Sequence, residues 1–216
     1  MRSQFNNQLK DLNVKLIKMG AMVQEIIEMT IKSLTTLDLD LAKEVVVFDD
    51  KIDELELEIE MECMRLLALQ QPMARDLRVI GTIMKIITDL ERMGDNAVNI
   101  SKETLKICED KLIKPLVDIP RMAKLSEAMV IKCLDAFMKE DIEMALEVAQ
   151  DDDAVDEIYE RIYFELIEMM IEDPSIIQQA TRLLFIGRYL ERIADHATNI
   201  GERIIYMVTG ELKEIN

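Results

Sequence analysis

At 216 residues, half of them apolar, the chain is long enough to bury a sizeable core, and its formal charge of -17 argues against contact with a phosphate backbone. Six Gly and four Pro punctuate it thinly, strand-like β-branched and aromatic runs are lacking, and no apolar run reaches the ~18–20 residues of a membrane span. The start, Met1-Arg2-Ser3-Gln4-Phe5, has no signal-peptide apolar region, so a soluble cytoplasmic all-α protein is expected, with no nucleic-acid partner and no direct membrane insertion.

From Phe5 the apolar positions Leu9, Leu12, Leu16, Met19, Val23 and Ile26 recur in steps of three and four, which predicts a first helix to about Leu37. Asp38 is a suitable N-cap for a second, whose stripe is Val45, Phe48, Ile52, Leu55, Ile59, Cys63 and Leu66, ending before Pro72. A third runs from just after that proline to about Cys108. Lys111 to Pro120 holds two prolines and reads as a connector. The series then restarts: Met122, Leu125, Met129 and Phe137 mark a fourth helix. Asp141 caps a fifth with Val148, Val155, Ile158 and Ile162, and Pro174 precedes a sixth that ends near Gly210. The expectation is a tandem repeat of two three-helix bundles, six long antiparallel helices in all, divided as residues 1–110 and 111–216.

The repeat is clearest in one element. Leu90-Glu91-Arg92-Met93-Gly94-Asp95-Asn96-Ala97-Val98-Asn99-Ile100 returns as Leu190-Glu191-Arg192-Ile193-Ala194-Asp195-His196-Ala197-Thr198-Asn199-Ile200. Glu, Asp and Asn four residues apart fan over roughly 80° of one helix face, with the apolar set Leu90, Met93, Ala97 and Ile100 opposite, so the acids are expected to face outward. Aligning Asp38 on Asp141 also sets Asp49 on Asp152 and Asp53 on Asp156, a second shared acidic pair. Glu56 and Glu60 on the same flank become Tyr159 and Tyr163.

Each half thus offers Asp-x-x-x-Asp on its second helix and Glu-x-x-x-Asp-x-x-x-Asn on its third. Oxygen donors in this number suit hard or borderline cations, and cations are what let many carboxylates sit together. The competing reading is a solvated acidic face in an acidic protein, and repetition in both halves weighs toward a site. A buried di-iron oxidase site needs Glu-x-x-His pairs, whereas this chain has one histidine, His196, which reads as a polar flank residue. No zinc-protease, P-loop or nucleophile-elbow motif appears, so no catalytic residue is assigned. Cys63, Cys108 and Cys133 lack metal or disulfide spacing and read as small apolar residues. Arg75 and Arg78 open the third helix without a counterpart in the second half, and pairing with nearby acids is expected of them. Arg92 is expected to pair with Asp89, and the sixteen methionines to fill the core first and a docking surface second.

Taken together, the tandem layout, Asp49-x-x-x-Asp53, Asp152-x-x-x-Asp156, Pro-Met-Ala-Arg-Asp-Leu-Arg at 72 to 78 and both Glu-Arg-x-x-Asp-x-x-x-Asn-Ile elements resemble the PhoU family over essentially the whole length. The resemblance implies multinuclear metal clusters, iron in some members, on two sets: Asp49, Asp53, Glu91, Asp95 and Asn99, and Asp152, Asp156, Glu191, Asp195 and Asn199. The spacing itself does not separate iron from zinc, magnesium or an empty acidic surface. It further implies a non-enzymatic adaptor, commonly a homodimer, that contacts the transporter ATPase PstB and the sensor histidine kinase PhoR and represses the phosphate-starvation response. The alternative from another class is a carboxylate-cluster metal-storage protein or metal-dependent enzyme.

Overall fold

In the computed structural model, which describes residues 2–70, 72–107 and 111–215, the chain is helical almost throughout. Helices α1 (Arg2–Thr36), α2 (Leu39–Gln70), α3 (Ala74–Lys106), α4 (Asp118–Lys139), α5 (Ile142–Glu172) and α6 (Ile177–Thr209) follow in order. A 3₁₀ turn spans Pro174–Ile176, and there is no strand among the described residues. Gln71, Cys108 and the residues just before the expected 110/111 division lie outside the described ones. Pro120 belongs to α4 rather than to the connector. It sits in the first turn, where a missing N–H breaks no helical bond.

The turns joining α1 to α2 and α4 to α5 are built alike. Leu37 and Glu140 take left-handed φ values of 51° and 54°. The next N–H, of Asp38 or Asp141, returns to the carbonyl of Ser33 or Ala136 at 2.9 Å, closing the helix end. Each aspartate then caps the following helix: Asp38 Oδ1 accepts from the N–H of Leu41 at 3.0 Å, and Asp141 Oδ1 from that of Met144 at 3.0 Å. A non-glycine left-handed residue costs roughly 1–2 kcal/mol, which a cap of ~1 kcal/mol partly offsets. The same strained turn at equivalent positions makes the repeat structural as well as textual.

Helices α1, α2 and α3 pack together, as do α4, α5 and α6, and the halves join through α3 against α6 and α1 against α4. Among the described residues, α2 and α5 touch no helix of the other half, so each is an outer flank on a four-helix centre. The α3–α6 seam holds one antiparallel register. Arg78 Nε donates to the Met207 carbonyl at 3.1 Å, Thr82 Oγ1 to the Arg203 carbonyl at 3.5 Å, His196 Nδ1 meets Asp89 at 3.0 Å, and Arg182 donates to Glu103 at 2.8 Å. The midpoint of that register falls at Arg92 and Met93 against Arg192 and Ile193, inside the repeated motif, as two halves related by an approximate two-fold axis require. Cys63 and Cys133 are buried in the helices, and Met19, Met93, Met122, Met129 and Met207 fill the core.

Three sequence-based pairings are corrected by this packing. Asp89 is taken by His196 across the seam, so Arg92 turns instead to Asp95 at 3.4 Å and Glu91 at 3.5 Å. His196 therefore joins the two halves and is no mere flank residue. The partners of Arg75 and Arg78 are distant in sequence: Arg75 forms a two-oxygen contact with Glu140 at 2.6 and 2.8 Å, and Arg78 closes the end of α6. Both arginines hold the second half to the start of α3.

Gly20 lets α1 come close to α4 of the other half. A Cβ there would lie 2.0 Å from Leu134 Cδ1 on α4, inside a buried contact. Gly20→Val should therefore destabilise the chain by about 1–3 kcal/mol, a Tm lower by roughly 2–10 °C in thermal melts. Adding Leu134→Ala should recover part of that loss, and two simply additive losses would contradict the contact.

Candidate metal centres

Because α2 and α3 run antiparallel, advancing along one retreats along the other. Asp49 faces α3 at Gly94, where a Cβ would lie 2.5 Å from its Oδ1. Asp53 comes next to Asp95, and Glu56 lies against Glu91 and Thr88, whose hydroxyl donates to it at 3.5 Å. The second half repeats the arrangement. Asp152 and Asp156 lie beside Asp195, Glu191 is near both, and Tyr159 occupies the place of Glu56.

This register brings Asp49, Asp53, Glu91 and Asp95 together, and likewise Asp152, Asp156, Glu191 and Asp195. Asn99 and Asn199 follow one helical turn after Asp95 and Asp195, half-buried and exposed respectively, and Thr198, next to Asn199, reaches Asp152. The acidic run instead extends the other way, to Glu56. Thr88 and, in the second half, Arg188 also enter, and neither stands out in the sequence until the helix pairing is known. Arg188 hydrogen-bonds to Glu191 three residues on, the one signal that spacing alone carried.

Nor do the carboxylates simply face outward. They occupy the flank between two helices, at graded depth: the Asp95 side chain is 46% exposed and Glu91 23%, whereas Asp49 and Asp152 are 8% and 7% exposed. One oxygen of each of these last two, Oδ1, is buried without any hydrogen-bond partner. A buried unpaired carboxylate is costly to ionise. Burial first, then Asp53, Asp95 and Glu91, pushes Asp49 up to about 7. Burial, then Asp156 and Asp195, pushes Asp152 up to about 6, with Thr198 pulling the other way. Glu191 rises to about 7 through burial, although Arg188 opposes it, and Asp53, Glu56, Glu91 and Asp156 are raised as well, burial leading in each.

Among the described residues, no three acids, histidines or thiols converge tightly enough to hold one ion as they stand. The donor chemistry nonetheless fits a cation. Oxygen ligands crowd one flank in each half, and a buried oxygen in each lacks the partner that a metal would supply. His196 Nδ1 is engaged by Asp89 across the seam between α3 and α6. No described helix is long and apolar enough to cross a membrane.

Comparison with known proteins bears on both halves. The sequence model of the PhoU domain matches residues 16–104 and 119–204. A protein of Clostridium acetobutylicum described as a phosphate-specific transport system accessory protein PhoU homolog is 39% identical over 216 residues, covering 100% of this chain and 99% of that one. Its Aquifex aeolicus namesake is 42% identical over 205 residues, 95% of this chain and 93% of the relative. The crystal structure of PhoU from Pseudomonas aeruginosa superposes with a TM-score of 0.90 at 38% identity, covering 96% of this chain and 100% of that one. That of the phosphate transport system regulatory protein PhoU from Streptococcus pneumoniae also gives 0.90, at 35% identity, over 97% and 99%. With both halves matched and the whole length covered, the chain belongs to the PhoU family.

Proposed function

We propose that this chain is a cytoplasmic regulatory adaptor of phosphate uptake and signalling, without chemistry of its own. It represses the phosphate-starvation response by contact with the transporter ATPase PstB and the sensor histidine kinase PhoR. The observation that carries the reading is the full-length likeness to proteins described as accessory to the phosphate-specific transport system. An adaptor of this kind signals by binding one partner conformation better than another, since equal affinity for both shifts nothing. The homodimer belongs to the same reading.

Within it, Asp49, Asp53, Glu91 and Asp95, with Glu56, would hold metal in the first half, and Asp152, Asp156, Glu191 and Asp195 in the second. Asn99 and Asn199 become ligands only if the clusters reach a turn further along α3 and α6. Iron is the metal the resemblance favours, and zinc or magnesium would meet the same oxygens. A bound cation would neutralise the carboxylates and cross-link each outer helix to the centre. Asp49, Asp152 and the largely buried Glu191 would serve as anchors, while Glu91, Asp95 and Asp195 would close from the solvent side. Metal storage or a metal-dependent activity is the competing reading, and turnover in a phosphatase or oxidase screen that disappears in Asp95→Ala and Asp195→Ala would establish it instead.

Three measurements follow. Copurification with the transporter and its kinase at high and low phosphate should recover a phosphate-dependent association; none under either condition sinks the adaptor reading. In the chelator-stripped chain, manganese at ~100 times its Kd should raise Tm by roughly 5–10 °C, and the Asp49→Asn, Asp152→Asn double variant should lose that rise. The third is pH dependence. A carboxyl whose folded pKa lies above its unfolded value contributes stability that is complete below about 3.8 and lost as pH climbs through the folded value. The stripped chain should therefore melt lower at pH 8 than at pH 5, through Asp49 near 7 and Asp152 near 6. At pH 8, Asp49→Asn should raise the Tm of the stripped chain by ~2–4 °C, about 1 kcal/mol, since it removes a buried charge. A lower Tm in that variant would contradict the buried-charge account.

A further inference from the structure

The helix register that aligns the two sites also shows where they differ. Glu56 is matched by Tyr159, Thr88 by Arg188, and Ile87 by Gly187. In the second half the Tyr159 ring packs over Gly187, where a Cβ would lie 3.0 Å from ring Cδ2, so an aromatic wall stands where the first half has a carboxylate. Thr88 offers Glu56 a neutral hydroxyl. Arg188 at the same level donates to Glu191 and lies close enough to Asp156 to act on it too. Arg92 does not create this difference, because Arg192 repeats it. Its contacts with Asp95 and Glu91 are long, 3.4 and 3.5 Å, and its side chain stays largely in solvent. At these positions the first flank has a carboxylate and a neutral hydroxyl where the second has a tyrosine and an arginine, and Glu60 beside Glu56 becomes Tyr163.

Both flanks keep a buried aspartate oxygen without a partner, the feature that points to a ligand rather than to a merely solvated acidic face. A divalent cation approaching that oxygen meets a more negative surround in the first half. In the second it must also displace a guanidinium from Glu191, a carboxylate close enough to Tyr159 to act on it.

We propose that the two sites are unequal by construction: the α2/α3 site binds a divalent cation first, and Arg188 is a specificity-determining residue that competes with cations for Glu191 in the α5/α6 site. This rests on the reading of the flanks as metal centres and adds an order of filling to it. At limiting metal the first outer helix is pinned to the centre while the second stays unpinned, so the halves offer different surfaces to a partner.

The test is a manganese titration of the full chain after chelator stripping, followed by calorimetry and by loss of the free-ion electron paramagnetic resonance signal. Two phases are expected, the tighter removed by Asp49→Asn and the weaker by Asp152→Asn. Arg188→Thr should tighten the weaker phase by about tenfold or more and leave the tighter one in place, and Thr88→Arg should weaken the tighter phase by a similar factor. Positions 88 and 188 are exposed on their helices, and circular dichroism verifies that each variant folds. A weaker phase unmoved by Arg188→Thr, or two aspartate variants that remove indistinguishable phases, overturns the inequality and leaves the metal reading standing. No manganese uptake by the unaltered chain overturns the metal reading itself, and this inference with it.

Discussion

The seam between α3 and α6 is the constraint on which the rest of the molecule depends. Its single antiparallel register, held by Arg78 on the Met207 carbonyl at one end, Asp89 against His196 in the middle and Arg182 on Glu103 at the other, sets the two copies of the repeated motif back to back. Once that register is set, the apolar faces of α3 and α6 are committed to the centre. Their acidic faces must then turn toward opposite flanks, where α2 and α5 cover them. The seam is polar at intervals rather than uniformly apolar. Such pairs are costly to leave unmatched, so they specify register more sharply than interchangeable leucines would.

Each flank places a destabilising feature at equivalent depth. Asp49 and Asp152 are held where a charge is poorly solvated and where their own neighbours repel them. Gly94 lets the backbone of α3 come up against Asp49; in the other half Ala194 stands at that position, so the two carboxylates meet different walls. Residues kept in such unfavourable surroundings are the usual mark of a functional site.

The outer helices are where the proposed adaptor role and the acidic flanks meet. Among the described residues α2 and α5 each pack on one half alone, so a ligand on either flank would act first on the attachment of that outer helix. Arg75 with Glu140 and Gly20 against Leu134 tie the central helices across the halves, so a change at a flank has a rigid platform to act against. The difference between the flanks then means that the two-fold likeness of the fold need not carry over into its binding behaviour.

Much of this was legible from residue order. Apolar steps of three and four defined the helices, Asp38 and Asp141 marked two caps, and the doubled motif with the paired aspartates named eight of the carboxylates that meet, because periodicity and capping are local properties of the chain. Depth, partners and the limits of each site depended on which helices lie side by side and in what register, and no local pattern encodes that. Hence Asp89 was given to Arg92 when it belongs to His196, and Arg75 was given a nearby acid when it reaches Glu140 on the other half. By itself, the sequence determined a doubled three-helix unit and its acidic residues. Tertiary packing decided which of those acids are buried, which lack partners, and where an arginine stands among them, because desolvation and charge proximity exist only once distant segments touch.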